Sequence, residues 1–144
     1  MVSYYAWFEP DPEAGGFVVT FPELEYGATQ GETLEEVQEM AEDLLKCMIQ
    51  HLIGEGKPLP AATKHRGKQY RLVSLPALQS AKVELYMAFR ASGMKKAELA
   101  RRVGIAKTNV ERLFDLDHTS RLDQIEDAFR ALGKKLDVTV GNAA

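Results

Sequence analysis

Residues 96–115, KAELARRVGIAKTNVERLFD, contain two short amphipathic segments separated by a glycine. Ala100 is small where two packed helices must approach each other closely, and Gly104 stands where the turn between them needs a positive φ. Apolar residues at helical spacing predict the inward faces that fix the crossing of the helices. These residues are Leu99, Val103, Ile105, Val110 and Leu113. The spacing is typical of a helix-turn-helix, which lays one helix across the DNA backbone and a second in the major groove.

The second helix of this pair is expected over residues 107–116, with its polar side chains turned outward. Arg and Lys side chains pair with guanine, and Thr contacts a thymine methyl group or a phosphate. The first helix begins near two lysines, where a phosphate would meet a helix N-terminus. Lys95 replaces the usual Ser or Thr cap, a loss of about 1 kcal/mol. The candidate DNA-binding residues are Lys95, Lys96, Lys107, Thr108, Asn109, Glu111 and Arg112. Taken singly, each is better explained as a solvated side chain on a surface helix, but together with the Ala-Gly-Ile spacing and the basic second half of the chain they favour DNA binding.

Charge is distributed unevenly along the chain. Residues 1–60 hold 12 Asp/Glu and 2 Lys/Arg, a net charge of −10, whereas residues 61–144 hold 16 Lys/Arg and 9 Asp/Glu, a net charge of +7. The basic half can approach phosphates and the acidic half would be repelled by them, so the pattern predicts two partners of opposite charge. The candidate residues for a basic protein partner are Glu9, Asp11, Glu13, Glu23 and Glu25. A solvated hairpin tip explains the first three as well, and it is preferred over a catalytic carboxylate cluster.

The order of patterns predicts an α+β fold of two domains. Strands are expected over residues 2–8, 17–21, 27–30 and 69–75, with a helix after the third strand that begins at a Thr33–Glu36 capping box. This small βββαβ domain occupies residues 1–75. Residues 76–144 form an all-α helix-turn-helix domain with a short terminal strand. Its further helices are expected over residues 78–91 and 121–132, the first with Ala81, Leu85, Ala88 and Phe89 on its inner face.

The terminal strand, over residues 136–140, is a candidate dimer contact together with helix 121–132. A short exposed strand can pair with its own copy, which would cover Val138 and Val140. A two-fold homodimer would also double the base contacts of a single helix-turn-helix.

The sequence lacks the motifs that several classes of function require. His51, His65 and His118 lie on three different elements and out of ligand spacing, so we expect no metal site and no cofactor. There is no glycine-rich phosphate loop and no serine elbow, and we expect the chain not to be an enzyme. A single cysteine, no signal peptide and no apolar run of membrane-spanning length indicate a cytoplasmic protein with no membrane partner.

Two blocks, taken in order, resemble the HicB family of antitoxins. The block EPDPEAGGFVVTFPELEYGATQGETLEEVQEMAEDLL is similar to the N-terminal domain of that family, and KAELARRVGIAKTNVERLFD is similar to the C-terminal helix-turn-helix of many members. Many relatives have a Pro-Gly-Cys-like turn before T-Q-G, where this chain has residues 25–28, EYGA.

The resemblance implies a partial ribonuclease-H-like layer that has lost its catalytic acids, followed by a DNA-binding domain. It also implies a small basic partner, an mRNA-cleaving toxin of the HicA family, within a type II toxin–antitoxin system. By the same resemblance the DNA-binding half would repress the operon of the antitoxin itself. A dimer would read half-sites about one helical turn, ~10 bp, apart.

Two alternative functions belong to other classes of protein. A stand-alone transcription regulator would use the acidic domain to sense a small molecule. A ribonuclease-H-type nuclease would need inward carboxylates that hold magnesium, and the predicted strand interiors YYAWF, FVVTF and YRLVSL contain none. An adjacent reading frame for a short basic protein would separate the antitoxin from the stand-alone regulator.

Overall fold

The computed structural model describes residues 1–143, so Ala144 of the predicted second domain lies outside the described residues. The elements are β1 Ser3–Pro10, β2 Phe17–Thr20, β3 Ala28–Gly31, α1 Leu34–Gly54, β4 Tyr70–Ser74, α2 Ala77–Ser92, α3 Lys96–Val103, α4 Lys107–Leu113 and α5 Leu122–Ala131. The predicted α+β class and the βββαβ order of the first part are confirmed.

The four strands form one antiparallel sheet in the order β3-β2-β1-β4. Side chains alternate between the two faces of a strand, and β1 follows this rule. Tyr4, Ala6 and Phe8 are buried on the face that α1 covers. Tyr5 and Trp7 point to the opposite face, which we call the open face.

Two glycines allow the hairpin and the first turn of α1 to pack together. A Cβ atom on Gly16, whose φ is +73°, would overlap the carbonyl oxygen of Gly31. A Cβ atom on Gly31 would lie 3.0 Å from the backbone nitrogen of Val37 in α1. Only glycine tolerates such close backbone approach, which explains the GG and TQG sequences around β2 and β3.

Helix α1 begins as its sequence predicts. The Thr33 hydroxyl oxygen accepts from the Glu36 backbone N–H at 3.1 Å, while the Glu36 carboxylate accepts from Glu32 N–H at 3.0 Å. The capping interaction therefore involves Glu32 as well as Thr33. One stripe of the helix is buried against the sheet, and each of its side chains contributes about 1.5–3 kcal/mol. The stripe consists of Val37, Ala41, Leu45, Ile49 and Ile53.

Residues 55–69, the return segment, connect α1 to β4. Because α1 and β4 run in the same direction along the sheet, this segment must travel back over the length of β4. The Tyr4 hydroxyl donates to the Pro60 carbonyl at 2.6 Å, and the Tyr86 hydroxyl of α2 donates to the Lys57 carbonyl at 2.6 Å. These buried aromatic side chains hold the return segment against both the sheet and α2.

The helices α2–α5 pack against residues 1–75, which we call the sheet unit, through a continuous apolar core. The Val2 N–H donates to the Ser80 hydroxyl at 3.0 Å, and the Lys46 ammonium lies 2.9 Å from the Asp117 carboxylate. The Gln50 side chain accepts from the Leu116 N–H at 2.6 Å. Packing and hydrogen bonds therefore cross the predicted domain boundary at residue 75.

The predicted terminal strand is wrong for the single chain. Residues 136–140 form no strand, because no other strand lies beside them to accept their backbone hydrogen bonds. Val138 and Val140 are 70% and 92% exposed. The second helix of the pair also ends earlier than predicted, at Leu113, since the chain turns there toward α2.

The inner face of α2 holds the predicted residues and one that the sequence did not indicate. Leu85 is buried, Ala81, Ala88 and Phe89 are half-buried and pack against the core, and Lys82 is 0% exposed. The Lys82 ammonium donates to the carbonyl oxygens of Arg112 at 2.9 Å, Asp115 at 2.7 Å and His118. Burial lowers the pKa of Lys82, and the nearby Asp115 partly opposes that shift. A cation at the end of a helix also complements the helix dipole, so Lys82 fixes the segment that follows α4.

We expect Lys82→Met to lower the free energy of unfolding by about 3 kcal/mol, because it removes three hydrogen bonds that a buried ammonium donates to the Arg112, Asp115 and His118 carbonyl oxygens. Urea denaturation followed by circular dichroism measures this change. Lys134→Met, at an exposed lysine, is the matched control and should change stability by under about 0.5 kcal/mol. Equal stability of the two variants would contradict the role of Lys82.

Candidate functional site

Helices α3 and α4 meet at a tight glycine turn. Gly104 has φ +81°, and the N–H groups of Gly104 and Ile105 both donate to the Ala100 carbonyl, at 2.9 and 3.0 Å. Ala100 itself is buried between the helices. Leu99, Val110 and Leu113 are buried, while Val103 and Ile105 are half-buried. The small residue and the glycine thus lie where the sequence predicts them.

The polar side chains of this helix pair face solvent. Lys95, Lys107, Thr108, Asn109, Glu111 and Arg112 are exposed, and Lys96 is half-buried. The Lys96 ammonium lies 2.9 Å from each carboxylate oxygen of Glu111, so these two predicted DNA-binding residues bind each other. Arg112 donates to the Asn109 side-chain oxygen at 3.3 Å. Lys95 makes no side-chain cap bond, as its sequence position predicts.

The predicted acidic site is divided between the two ends of the sheet. Glu9, Asp11 and Glu13 lie at the β1–β2 hairpin, whereas Glu23 and Glu25 lie between β2 and β3, at the opposite end. The Asp11 carboxylate accepts from the N–H groups of Glu13 at 3.0 Å and Ala14 at 3.1 Å, and it therefore shapes the hairpin turn. The five residues do not form one surface.

The Glu23 carboxylate is bound by other side chains of the same chain. Its carboxylate bonds to the Thr63 hydroxyl and lies 2.6 Å from His65 Nε2, and the side chain is only 12% exposed. Burial favours a raised pKa, but the hydrogen bonds from Thr63 and His65 outweigh it and hold the pKa of Glu23 below its usual value. The same ring nitrogen of His65 contacts both Thr63 and Glu23. That geometry does not allow His65 to relay a proton between them, and it serves instead to fix the return segment on the sheet.

Sequence reasoning missed the acidic face of α1. Its members are exposed carboxylates in the first half of the helix, and none of them forms an ion pair within residues 1–143. They are Glu35, Glu39, Glu42 and Asp43. The spacing i, i+4, i+7, i+8 outside the buried stripe was the available signal, since such residues share one side of a helix.

An apolar groove of about 700 Å³ adjoins the same helix. Its walls come from α1, from the β2–β3 connection and from the return segment. Tyr26 stands at its edge and is 81% exposed. The apolar lining consists of Leu24, Met48, Leu52, Pro58, Leu59 and Pro60, with Glu25 and Lys57 also contributing. An exposed aromatic ring beside an apolar groove is a common feature of protein-binding surfaces.

The charge division along the sequence does not coincide with the fold. Lys64, Arg66, Lys68 and Arg71 lie in the return segment and β4, hence in the sheet unit. Residues 1–75 hold 6 Lys/Arg and 12 Asp/Glu, a net charge of −6, and residues 76–144 hold 12 and 9, a net charge of +3. The helical part is therefore less basic than the division at residue 60 indicates.

Within residues 1–143 no group of three or more His, Cys, Asp or Glu side chains is arranged to hold a metal ion. No described helix is both long enough and apolar enough to span a membrane.

The structure thus joins an acidic, antiparallel sheet unit to a helix pair whose polar side chains face solvent. The family model described as HicB_like antitoxin of bacterial toxin-antitoxin system matches residues 3–84. The chain belongs to this HicB-like antitoxin family, whose members act by binding a toxin and not by catalysis.

Several relatives match almost the whole chain. Antitoxin HicB of Escherichia coli (strain K12) is 33% identical over 95% of this chain and 98% of its own length. Antitoxin HicB 1 of Photorhabdus laumondii is 35% identical over 89% of this chain and 81% of its own length. A solved chain from a toxin–antitoxin complex of Streptococcus pneumoniae is 21% identical, covers 76% of this chain and 93% of its own length, and has a TM-score of 0.46.

The Glu23–His65 contact predicts an acid-sensitive return segment. A lowered carboxyl pKa contributes stability that is fully present above the ordinary value of 4.5 and is lost as the pH falls through the lowered value. We expect Glu23→Gln to lower the free energy of unfolding at pH 7 by about 1 kcal/mol and to reduce its fall on acidification. Denaturation midpoints measured across acidic pH test this expectation. Glu25→Gln, at an exposed carboxylate, is the control and should change the free energy of unfolding at pH 7 by under about 0.5 kcal/mol.

Proposed function

We propose that this chain neutralises a small basic mRNA-cleaving toxin of the HicA type and represses its own operon by binding operator DNA. The observation that carries the first part is the acidic face of α1, Glu35, Glu39, Glu42 and Asp43, beside the apolar groove. Membership of an antitoxin family supports a toxin as the partner.

The acidic face suits a cationic partner because none of its carboxylates forms an ion pair within residues 1–143 that the partner would have to break. Unpaired exposed charges accelerate association with a protein of opposite charge and orient it before contact. The groove then supplies apolar contact, with the exposed Tyr26 ring as a natural anchor. The hairpin residues Glu9 and Glu13 add to the acidic field, but they lie on a different end of the sheet.

Neutralisation needs no catalytic group from this chain. The interiors of β1, β2 and β4 carry no carboxylate, which is what the proposed remnant of a ribonuclease-H-like layer requires. An RNA-cleaving partner is itself basic, and an acidic protein on its surface competes with RNA phosphates for the same charges.

The α3–α4 pair supports the second part of the proposal as a helix-turn-helix. Lys95, Lys107, Thr108 and Arg112 are exposed, and none forms an ion pair within residues 1–143. Arg112 projects from α4, and Lys82 holds the backbone carbonyl of the same residue. The backbone of Arg112 is therefore already fixed before DNA binds. This lowers the conformational entropy lost when its side chain is ordered against a base edge.

We infer a homodimer as the DNA-binding form. Val138 and Val140 are exposed in residues 136–140, whose sequence alternates as in a strand, and a second copy beside them would supply the missing strand partner. Two copies would present two α4 helices to an inverted repeat whose half-sites lie about one helical turn apart.

We expect the triple variant Glu35→Lys/Glu39→Lys/Glu42→Lys to reduce toxin capture at least tenfold, because it turns the acidic face basic. The toxin for this measurement is sought in a reading frame adjacent to this gene that encodes a short basic protein, and binding is followed by surface plasmon resonance at two salt concentrations. The control is Glu9→Lys/Glu13→Lys at the hairpin. A larger loss in the control than in the α1 variant would move the contact to the hairpin, and unchanged capture in both would contradict an electrostatic interface.

We expect Arg112→Ala to weaken binding to the operator by about 1–3 kcal/mol without affecting toxin capture, because Arg112 lies on α4 and the acidic face on α1. Gel-shift titration with the upstream DNA of the operon measures the first effect and pull-down the second. Arg130→Ala on α5 removes an exposed arginine that is already bound to Glu126 and Asp127, and it serves as the control. Loss of both activities in Arg112→Ala would argue against separate surfaces.

A further inference from the structure

The open face of the sheet carries three aromatic side chains, Tyr5, Trp7 and Tyr70, that are half-buried and that no helix within residues 1–143 covers. Trp7 and Tyr70 are paired across β1 and β4, with ring centroids 4.9 Å apart at an interplanar angle of 71°. His65 stacks on Tyr70 at 4.7 Å and 14° and meets Tyr5 edge-on at 6.3 Å. Leu72, on the same face of β4, is 51% exposed.

Cationic side chains lie on both sides of His65 in the sequence, and we call them the basic border. Residues 56–83 contain no Asp or Glu, although residues 1–55 hold 12. Lys64, Arg66 and Lys68 flank His65 in the return segment, are exposed, and form no ion pair or side-chain hydrogen bond within residues 1–143. Arg71 lies on the other side of β4, over the Phe8 ring at 5.6 Å, and is not part of this border.

The border is fixed in place by the Glu23–His65 contact of 2.6 Å and by the Tyr70 N–H, which donates to the Gly67 carbonyl at 3.2 Å. The cations are therefore presented on a segment anchored at both sides, not on a free loop. A basic toxin would be repelled by this edge of the sheet, so it does not serve the proposed antitoxin contact.

We propose that the open face and its basic border bind a single-stranded nucleic acid. Bases stack on aromatic side chains while lysine and arginine neutralise the phosphates, and this combination recognises a single strand without sequence readout. A duplex keeps its bases stacked inside and offers them no access to Trp7 or Tyr70. The surface thus goes beyond toxin and operator binding, and it is independent of both.

Trp7 is the single tryptophan of the chain, so its fluorescence reports directly on this face. The test titrates the full-length protein with an oligouridine of ~15 nucleotides, the DNA oligomer of matched length, and a duplex DNA. We expect either single strand to quench Trp7, with a slope of log K against log salt near −2, as about three phosphate contacts require. Tighter binding of RNA than of DNA would assign a contact to the 2′-hydroxyl.

The charge-reversal variant Arg66→Glu/Lys68→Glu should weaken single-strand binding at least tenfold, whereas Lys134→Glu/Lys135→Glu, with the same change in net charge, should weaken it less than threefold. Lys95→Glu/Lys107→Glu on the helix pair should lose duplex binding and keep the Trp7 quench. Circular dichroism and the urea midpoint verify the fold of each variant. Absence of a quench in the wild-type protein, or equal losses in the first two variants, would overturn the proposal.

Discussion

Burial of one stripe of α1 against one face of the sheet determines where every exposed surface of this protein lies. Val37, Ala41, Leu45, Ile49 and Ile53 repeat at intervals of four residues and are almost completely excluded from water. Since only this stripe faces the sheet, the carboxylates on the other side of α1 remain in solvent. The same packing leaves the second face of the sheet to the return segment, whose His65 stacks on Tyr70, and it places the apolar groove along the flank of the helix.

The direction of β4 determines where the cations of the return segment lie. An antiparallel β4 forces the return segment to retrace the sheet, and its cations are thereby brought to the β4 edge. The sheet unit consequently has an acidic helix side and a basic edge. Along the sequence the same cations adjoin the helical half, which is why the division of charge at residue 60 overstates how basic that half is.

Helix α2 connects the sheet unit to the helix pair through two polar side chains, one of which contacts each part. Ser80 accepts from Val2 at the start of β1, and Lys82 donates to three carbonyl groups after α4. A buried ammonium is expensive to desolvate, so its three acceptors hold the segment in one arrangement. Together with the Lys46–Asp117 ion pair, these contacts make the orientation of α4 a property of the whole chain.

Local sequence determined the strands, the Thr33 cap, the Gly104 turn and the family, because periodicity, caps and glycine turns act over a few residues. The family resemblance came from the order of such local blocks. Only the tertiary structure decided that Glu23 is bound to His65, that Lys96 is bound to Glu111, and that Lys82 is buried. The sequence pattern likewise did not determine the structure of residues 136–140, because an alternating pattern becomes a strand only beside a partner strand. Side chains far apart in the chain meet through the path of the backbone, and no local pattern encodes that path.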